Sequence, residues 1–220
     1  MNKRTTYFDL PFKGVLEIAP LIRQWAEILY YERRHESEKD GVDFYTDLDL
    51  VKQSDNSKGV VVTKWGKGSL ESCFHCITGY GLDEILPWWK EMQQVFDKEL
   101  DLKPWLPYPC ILISMSNLRR HSDKGRPTAF NYPIFGEEVI TNHLWYKSDT
   151  PDYKYNESYR YYQGKSILID TTFDHGGVTN PGYSPNELRA ICNMGFGEEY
   201  DTCLEKIQAA FQDGTMSKLL

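Results

Sequence analysis

From about residue 105 to residue 197 the chain breaks into short strand-like runs with no helical stretch between them. This constrains the fold more than any other feature. Eight such runs can be read along the chain: Gly59–Trp65, Glu71–Ile77, Pro109–Ser116, Thr128–Ile134, Glu138–Tyr146, Tyr159–Gln163, Ser166–Asp170 and Leu188–Phe196. Most are rich in β-branched and aromatic residues, and Gly, Pro, Asn and Asp punctuate them. Gln163-Gly164-Lys165 predicts a tight hairpin turn between the sixth and seventh runs. A parallel α/β sheet needs strands and helices to alternate, and after residue 105 they do not. The pattern therefore predicts a β-sandwich or jelly roll.

Helices flank this region. Pro20–Arg34 opens with proline in a first-turn position and places Leu21, Ile22, Trp25, Ile28 and Leu29 on one stripe. Pro87–Leu100 repeats the device with Trp88, Met92, Val95 and Phe96, behind a possible cap at Asp83. A third helix, Tyr200–Gln212, is expected to end near Gly214. The class is α+β, mainly β, with residues 1–220 forming one domain. Its β-core spans about 105–197, preceded by a helical and strand extension over 1–104 and followed by a C-terminal helix within 198–220.

Composition narrows the function classes. The chain has 220 residues, 40% hydrophobic and 14% aromatic, enough to bury a sizeable core without disulfides or metal and too aromatic for a disordered chain. A net charge of −7 argues against bulk binding to nucleic acid or anionic membranes. The opening MNKRTTYFDLPFKG lacks the apolar stretch of a signal peptide, and no run approaches the ~18 apolar residues of a membrane span. Five cysteines, an odd number, read as free thiols in a reducing cytoplasm. Cys73-Phe74-His75-Cys76 lacks the second pair that a structural zinc needs and falls in a strand-like run, so buried thiols are expected.

The candidate chemistry lies in the β-core. His121-Ser122-Asp123 is an HxD tripeptide. In an extended segment its imidazole and carboxylate point to one side. Among five histidines and 32 acidic residues such a tripeptide means little alone, but its surroundings add to it. Asn131-Tyr132-Pro133-Ile134 follows, then Ser166–Asp170 leads into Thr171-Thr172-Phe173-Asp174-His175-Gly176-Gly177, placing His175 in a Gly-rich bend. Arg189 stands on the otherwise apolar run Leu188–Met194, where a buried guanidinium wants an anion. Two histidines and one carboxylate on one face make a facial triad, the ligand set of non-haem Fe(II) oxygenases.

The order HxD, distal His, then Arg on the next strand resembles the 2-oxoglutarate/Fe(II)-dependent dioxygenase superfamily over about Pro109–Gly197. The likeness is greatest to small members with an N-x-P-I strand and an L-I-D-T-T…H…V-x-N segment. The resemblance implies a double-stranded β-helix fold of jelly-roll or cupin-like type. It also implies iron held by His121, Asp123 and His175, and 2-oxoglutarate held at its distal carboxylate by Arg189. Asn131 becomes a candidate for the cosubstrate's other end or for the substrate. The implied activity consumes O2 and 2-oxoglutarate and hydroxylates a small molecule or a side chain. The 14 residues from His175 to Arg189 exceed the common spacing, so Asn180–Asn186 must form a loop.

Other features stay open at this level. Arg119, Arg120, Lys124 and Arg126 bracket HxD, as a solvated rim or as a funnel for an anion. Tyr153–Tyr162 reads as a substrate lid or as packing tyrosines, and His143 as a site residue or an ordinary strand residue. A non-catalytic jelly-roll module and a cupin-like metalloenzyme without 2-oxoglutarate compete with the oxygenase reading. Neither the substrate nor the oligomeric state is written in the sequence.

Overall fold

A computed structural model describes residues 2–12, 14–32, 61–65, 74–115, 117–123 and 125–216. His35, Cys73 and Lys124 lie outside these, as do parts of the first two strand-like runs and the end of the first helix.

Alternation of side chains explains the architecture. In β4 (Cys110–Met115), Ile111 and Ile113 join one apolar cluster while Cys110 and Leu112 join another. In β11 (Leu188–Phe196), Leu188, Ala190, Cys192, Met194 and Phe196 face the first cluster and Ile191 the second. β9 (Lys165–Asp170) divides in the same way, with Leu168 in the first cluster and Ile167 and Ile169 in the second, whereas β6 (Thr128–Phe135) gives Phe130, Tyr132, Ile134 and Phe135 to the first and turns the polar Asn131 to the other face. A sheet buried on both faces needs apolar residues at successive positions, so these runs read as continuous apolar stretches. The first cluster lies under the helices α1 (Val15–Glu27), α2 (Pro87–Lys98) and α3 (Tyr200–Gln212). The second lies between this sheet and a smaller one.

The larger sheet has seven strands, with β1 (Thr5–Asp9), β2 (Val61–Trp65) and β3 (Phe74–Thr78) added to the four above, in the order β1-β9-β6-β11-β4-β3-β2. The smaller has the order β5-β10-β7-β8, from β5 (Leu118–His121), β7 (Ile140–Trp145), β8 (Glu157–Tyr159) and β10 (Asp174–Thr179). All pairings are antiparallel. From β4 onward the chain passes back and forth between the sheets, as a double-stranded β-helix requires. The fold class is the one expected. Among the described residues no helix is long and apolar enough to cross a membrane.

Several local expectations are corrected. The first helix begins at Val15, so Pro20 is interior rather than first-turn. Its ring lies on the exposed side, as does Leu16, whose carbonyl loses its N–H partner to the proline. Asp83 caps nothing and pairs instead with Lys90. Gly164 does turn the chain with φ 78°, but the runs it joins belong to opposite sheets, apart from a lone bridge between Tyr162 and Lys165. The strand before it is Glu157–Tyr159, which pairs with β7, and the Glu157 carboxylate accepts hydrogen bonds from the Arg4 backbone, Thr5 and Tyr146. Three strands have no counterpart in the sequence reading: β1, β5 and β10. The chain between Thr179 and Leu188 is a loop of turns, as the long His175–Arg189 interval demands. Cys76, Cys110, Cys192 and Cys203 are unbridged and buried.

Candidate active site

His121 and His175 meet because their strands pair: they are direct partners in the β5–β10 register, with ring centroids 4.3 Å apart. Asp123, two residues past His121, closes the group. Its Oδ1 lies 3.9 Å from His121 Nε2 and its Oδ2 3.8 Å from His175 Nε2. One donor atom from each residue can be chosen with none more than 4.8 Å from another. Donors about 2.1 Å from one ion lie at most about 4.2 Å apart, so the two imidazole–carboxylate pairs already fit that limit.

The chain fixes the imidazole tautomers. Nδ1 of His121 lies 2.8 Å from the Arg119 carbonyl and Nδ1 of His175 lies 3.0 Å from the Phe173 carbonyl. A carbonyl only accepts, so each Nδ1 carries the proton and each Nε2 presents its lone pair towards the carboxylate. Burial, then the neighbouring His121, pushes the His175 imidazole down to about 4, which keeps it neutral. Burial raises the Asp123 carboxyl, but the charge and hydrogen bond of Arg126 work against it and the acid lies below its ordinary value. A neutral imidazole at His175 beside an ionised carboxylate is what a divalent ion requires.

Arg126 is the carboxylate's partner. Its Nη2 donates to Asp123 Oδ2 and its Nη1 to Asn193 Oδ1 at 2.5 Å. Asn193 donates to Asn131 at 2.6 Å, and Asn131 donates to the Tyr161 hydroxyl at 3.1 Å. A buried hydrogen-bonded chain thus runs from Asp123 to Tyr161 along the inner face of the large sheet. Gly195 is required here: a Cβ on it would lie 2.0 Å from Arg126 Cδ, in the space that the Arg126 stem fills.

The inner faces enclose a cavity of about 470 Å³ that all three residues of the group line, together with Arg189, Asn131 and Asn142. Leu112, Ile169 and Ile191 supply apolar wall. Arg189 sits opposite Ser114 in the β4–β11 register, is 3% exposed and donates from Nε to Ser114 Oγ at 2.8 Å. Its guanidinium lies 5.8 Å from the Tyr161 ring centroid, and its Nη1 has no hydrogen-bond partner among the described residues. Burial lowers its pKa, offset in part by Tyr161 and Tyr159. A buried guanidinium with an unused donor facing a cavity is a site for an anion.

The remaining basic residues do different things. Arg120 is taken up by Asp174, Asp152 and the carbonyls of Lys147, Ser148 and Thr150, with its guanidinium over Trp145, so it clamps a loop rather than steering ligands. Arg119 is exposed at the cavity's rim. The tyrosine segment splits: Tyr159 and Tyr161 are buried cavity walls, whereas Tyr153, Tyr155 and Tyr162 are exposed, so it is not one lid. His143 lies on the face of β7 away from the cavity, stacked on Tyr155 and hydrogen-bonded to Ser158. Asn193 and Asn142 escaped the sequence reading. Asn193 was readable as Arg189 plus four, on the same strand face. Asn142 was hidden beside His143, which drew attention to the wrong parity.

No family model matches the chain, and no curated protein matches it. Solved structures do. AviO1 from Streptomyces viridochromogenes aligns over 88% of this chain and 89% of its own at 10% identity, with a TM-score of 0.50. A Pseudomonas putida prolyl-4-hydroxylase aligns over 88% and 91% at 9% identity, with a TM-score of 0.41. The epimerase SnoN, in complex with Fe3+, α-ketoglutarate and nogalamycin RO, aligns over 88% and 78% at 11% identity, with a TM-score of 0.41. The solved structures found are of the 2-oxoglutarate/Fe(II) oxygenase family, which the sequence resembles, and at such identities the likeness is one of fold: a double-stranded β-helix.

Proposed function

We propose that this protein is a non-haem Fe(II), 2-oxoglutarate-dependent oxygenase that hydroxylates a small molecule or a side chain. The observation that carries this is the convergence of His121, Asp123 and His175 in a cavity that also receives the Arg189 guanidinium. A non-catalytic jelly roll has no reason to gather these donors, and its imidazoles would be free to lie more than about 6 Å apart. A metalloenzyme without an anionic cosubstrate has no use for a buried guanidinium with a spare donor.

In this reading His121, Asp123 and His175 hold the iron, and Arg189 holds the distal carboxylate of 2-oxoglutarate. When bound, Fe(II) and 2-oxoglutarate supply O2 activation, with decarboxylation to succinate and CO2 driving hydroxylation. The chain's own residues position and insulate. The Arg119 and Phe173 carbonyls aim the two Nε2 lone pairs. Arg126 pins one carboxylate oxygen of Asp123. Asn131 acts at the cosubstrate through Tyr161, whose hydroxyl it anchors beneath Arg189. Leu112, Ile169 and Ile191 keep water from the reacting centre. The same reading makes residues 1–220 one unit with its core over 105–197, working in a reducing cytoplasm that keeps iron as Fe(II).

Anaerobic titration with Fe(II) and 2-oxoglutarate tests it. The weak visible charge-transfer band of the chelate should appear, and His175→Ala should abolish it. Absence of both the band and iron binding in the native protein overturns the reading.

A further inference from the structure

Two polar side chains that are almost fully buried aim unused donors into the same cavity, from opposite sheets. One is Arg189. The other is Asn142 on β7, 2% exposed, whose Nδ2 has no hydrogen-bond partner among the described residues. An unpaired buried amide is costly, so its retention points to a ligand that satisfies it. Gly177, its register partner on β10, carries no side chain; a Cβ there would lie 2.2 Å from Ile140 Cδ1 and 3.2 Å from Asn142 Oδ1.

The ligand's chemistry follows from what surrounds the two donors. Tyr159 is the register partner of Asn142 on its other side, and its ring meets that of Tyr161 edge-on at 6.0 Å. Arg189 lies over Tyr161. Both donors therefore border one tyrosine pair, from the two sheets. Among the described residues Asp123 is the one carboxylate lining the cavity, and Arg126 already occupies it. Nothing among the described lining residues supplies an anion for Arg189 and Asn142, so the ligand must bring it.

We infer that Asn142 donates a hydrogen bond from Nδ2 to the distal carboxylate of the cosubstrate, so that this group is clamped between Asn142 on the small sheet and Arg189 on the large one. This deepens the proposed function and rests on it. Asn142 would be a binding and specificity residue: it rewards a 2-oxo acid that carries a second carboxylate and does nothing for one that lacks it.

The test compares 2-oxoglutarate with 2-oxopentanoate, which keeps the chelating end and replaces the distal carboxylate by methyl. Anaerobic Fe(II) titrations followed by the visible band are run on the native protein, Asn142→Ala and the isosteric Asn142→Asp. Native protein should prefer 2-oxoglutarate. Asn142→Ala should weaken 2-oxoglutarate about tenfold, as expected for a hydrogen bond to a charged group, and leave 2-oxopentanoate within about twofold. Asn142→Asp should weaken it further, because one carboxylate then faces another. The thermal melt of ligand-free Asn142→Ala should be no lower than the native one, since no native hydrogen bond is lost. Unchanged 2-oxoglutarate affinity, or a parallel loss for both acids, overturns the assignment of Asn142 while the oxygenase reading stands. Equal native affinity for the two acids overturns that assignment as well, together with the role proposed for Arg189. Failure of the native protein to give a band with either acid overturns the oxygenase reading, and this inference with it.

Discussion

The two faces of the seven-stranded sheet use the same strands for opposite ends. The face under the helices is apolar and aromatic: Phe130 alone touches the rings of Phe8, Trp89 and Phe96. The other face, one residue out of phase, carries Ser114, Asn131, Arg189 and Asn193, all buried and polar. Strand periodicity is what separates them, since every side chain on one face is flanked in sequence by two on the other. Stability and ligand binding can therefore be altered almost independently by changing neighbouring residues. The comparison teaches that a polar residue on such a strand is informative through its parity.

The largest effect expected from this contrast is on the helix side. Phe130→Ala empties a site that is fully buried and ringed by aromatics, and should cost about 3–5 kcal/mol. For a chain of this size that lowers Tm by roughly 6–20 °C in calorimetry. The folded fraction should still bind Fe(II) and 2-oxoglutarate, because Phe130 does not line the cavity. A Phe130→Ala protein that keeps its stability but loses the chelate band would break the proposed separation of the faces.

On the cavity side the sign should change. Arg189→Met keeps approximate volume and removes a buried charge whose Nη1 is unpaired among the described residues. Replacing buried charges by apolar groups of similar size is often neutral or stabilising. Ser114 loses its partner in exchange, at about 1 kcal/mol. Chemical denaturation should place the variant within about 1 kcal/mol of the native protein, while its preference for 2-oxoglutarate over 2-oxopentanoate disappears. A loss above about 3 kcal/mol would make Arg189 a structural element instead.

How far the sequence reaches follows the same parity logic. The buried strands of the large sheet were legible, because continuous apolar runs survive burial on both faces. β5 and β10 were not. Leu118-Arg119-Arg120-His121 and Asp174-His175-Gly176-Gly177 are charged or glycine-rich, and only pairing with each other and with β7 makes them strands. The histidines themselves were legible by order, but the cross-strand register that joins them is tertiary. Arg126 looked like one charge in a basic rim, and only the fold, through the gap at Gly195, reveals it as the buried partner of Asp123. Pro20 misled because helix entry and helix interior differ by what the preceding turn packs on, and Val15 is buried.

The small sheet gives the finest version of the comparison. Along β7, Asn142 and Leu144 face inward while His143 and Trp145 face the loop that carries Tyr155. Burial lowers the His143 pKa below its ordinary value near 6.5. A histidine whose folded pKa is depressed binds more protons when unfolded. Its contribution to stability is therefore complete above about pH 6.5 and is lost as pH falls from there through the folded value. His143→Gln keeps a polar partner for Ser158 without the titration. Urea denaturation of the metal-free protein at pH 8 and pH 5 should show a smaller acid-induced loss for the variant than for the native chain. His175, also depressed by burial, remains in both proteins, so the difference between their losses isolates His143. Equal losses would mean that His143 is as well solvated when folded as when unfolded. The outer face of the small sheet would then be open where packing against Tyr155 now closes it.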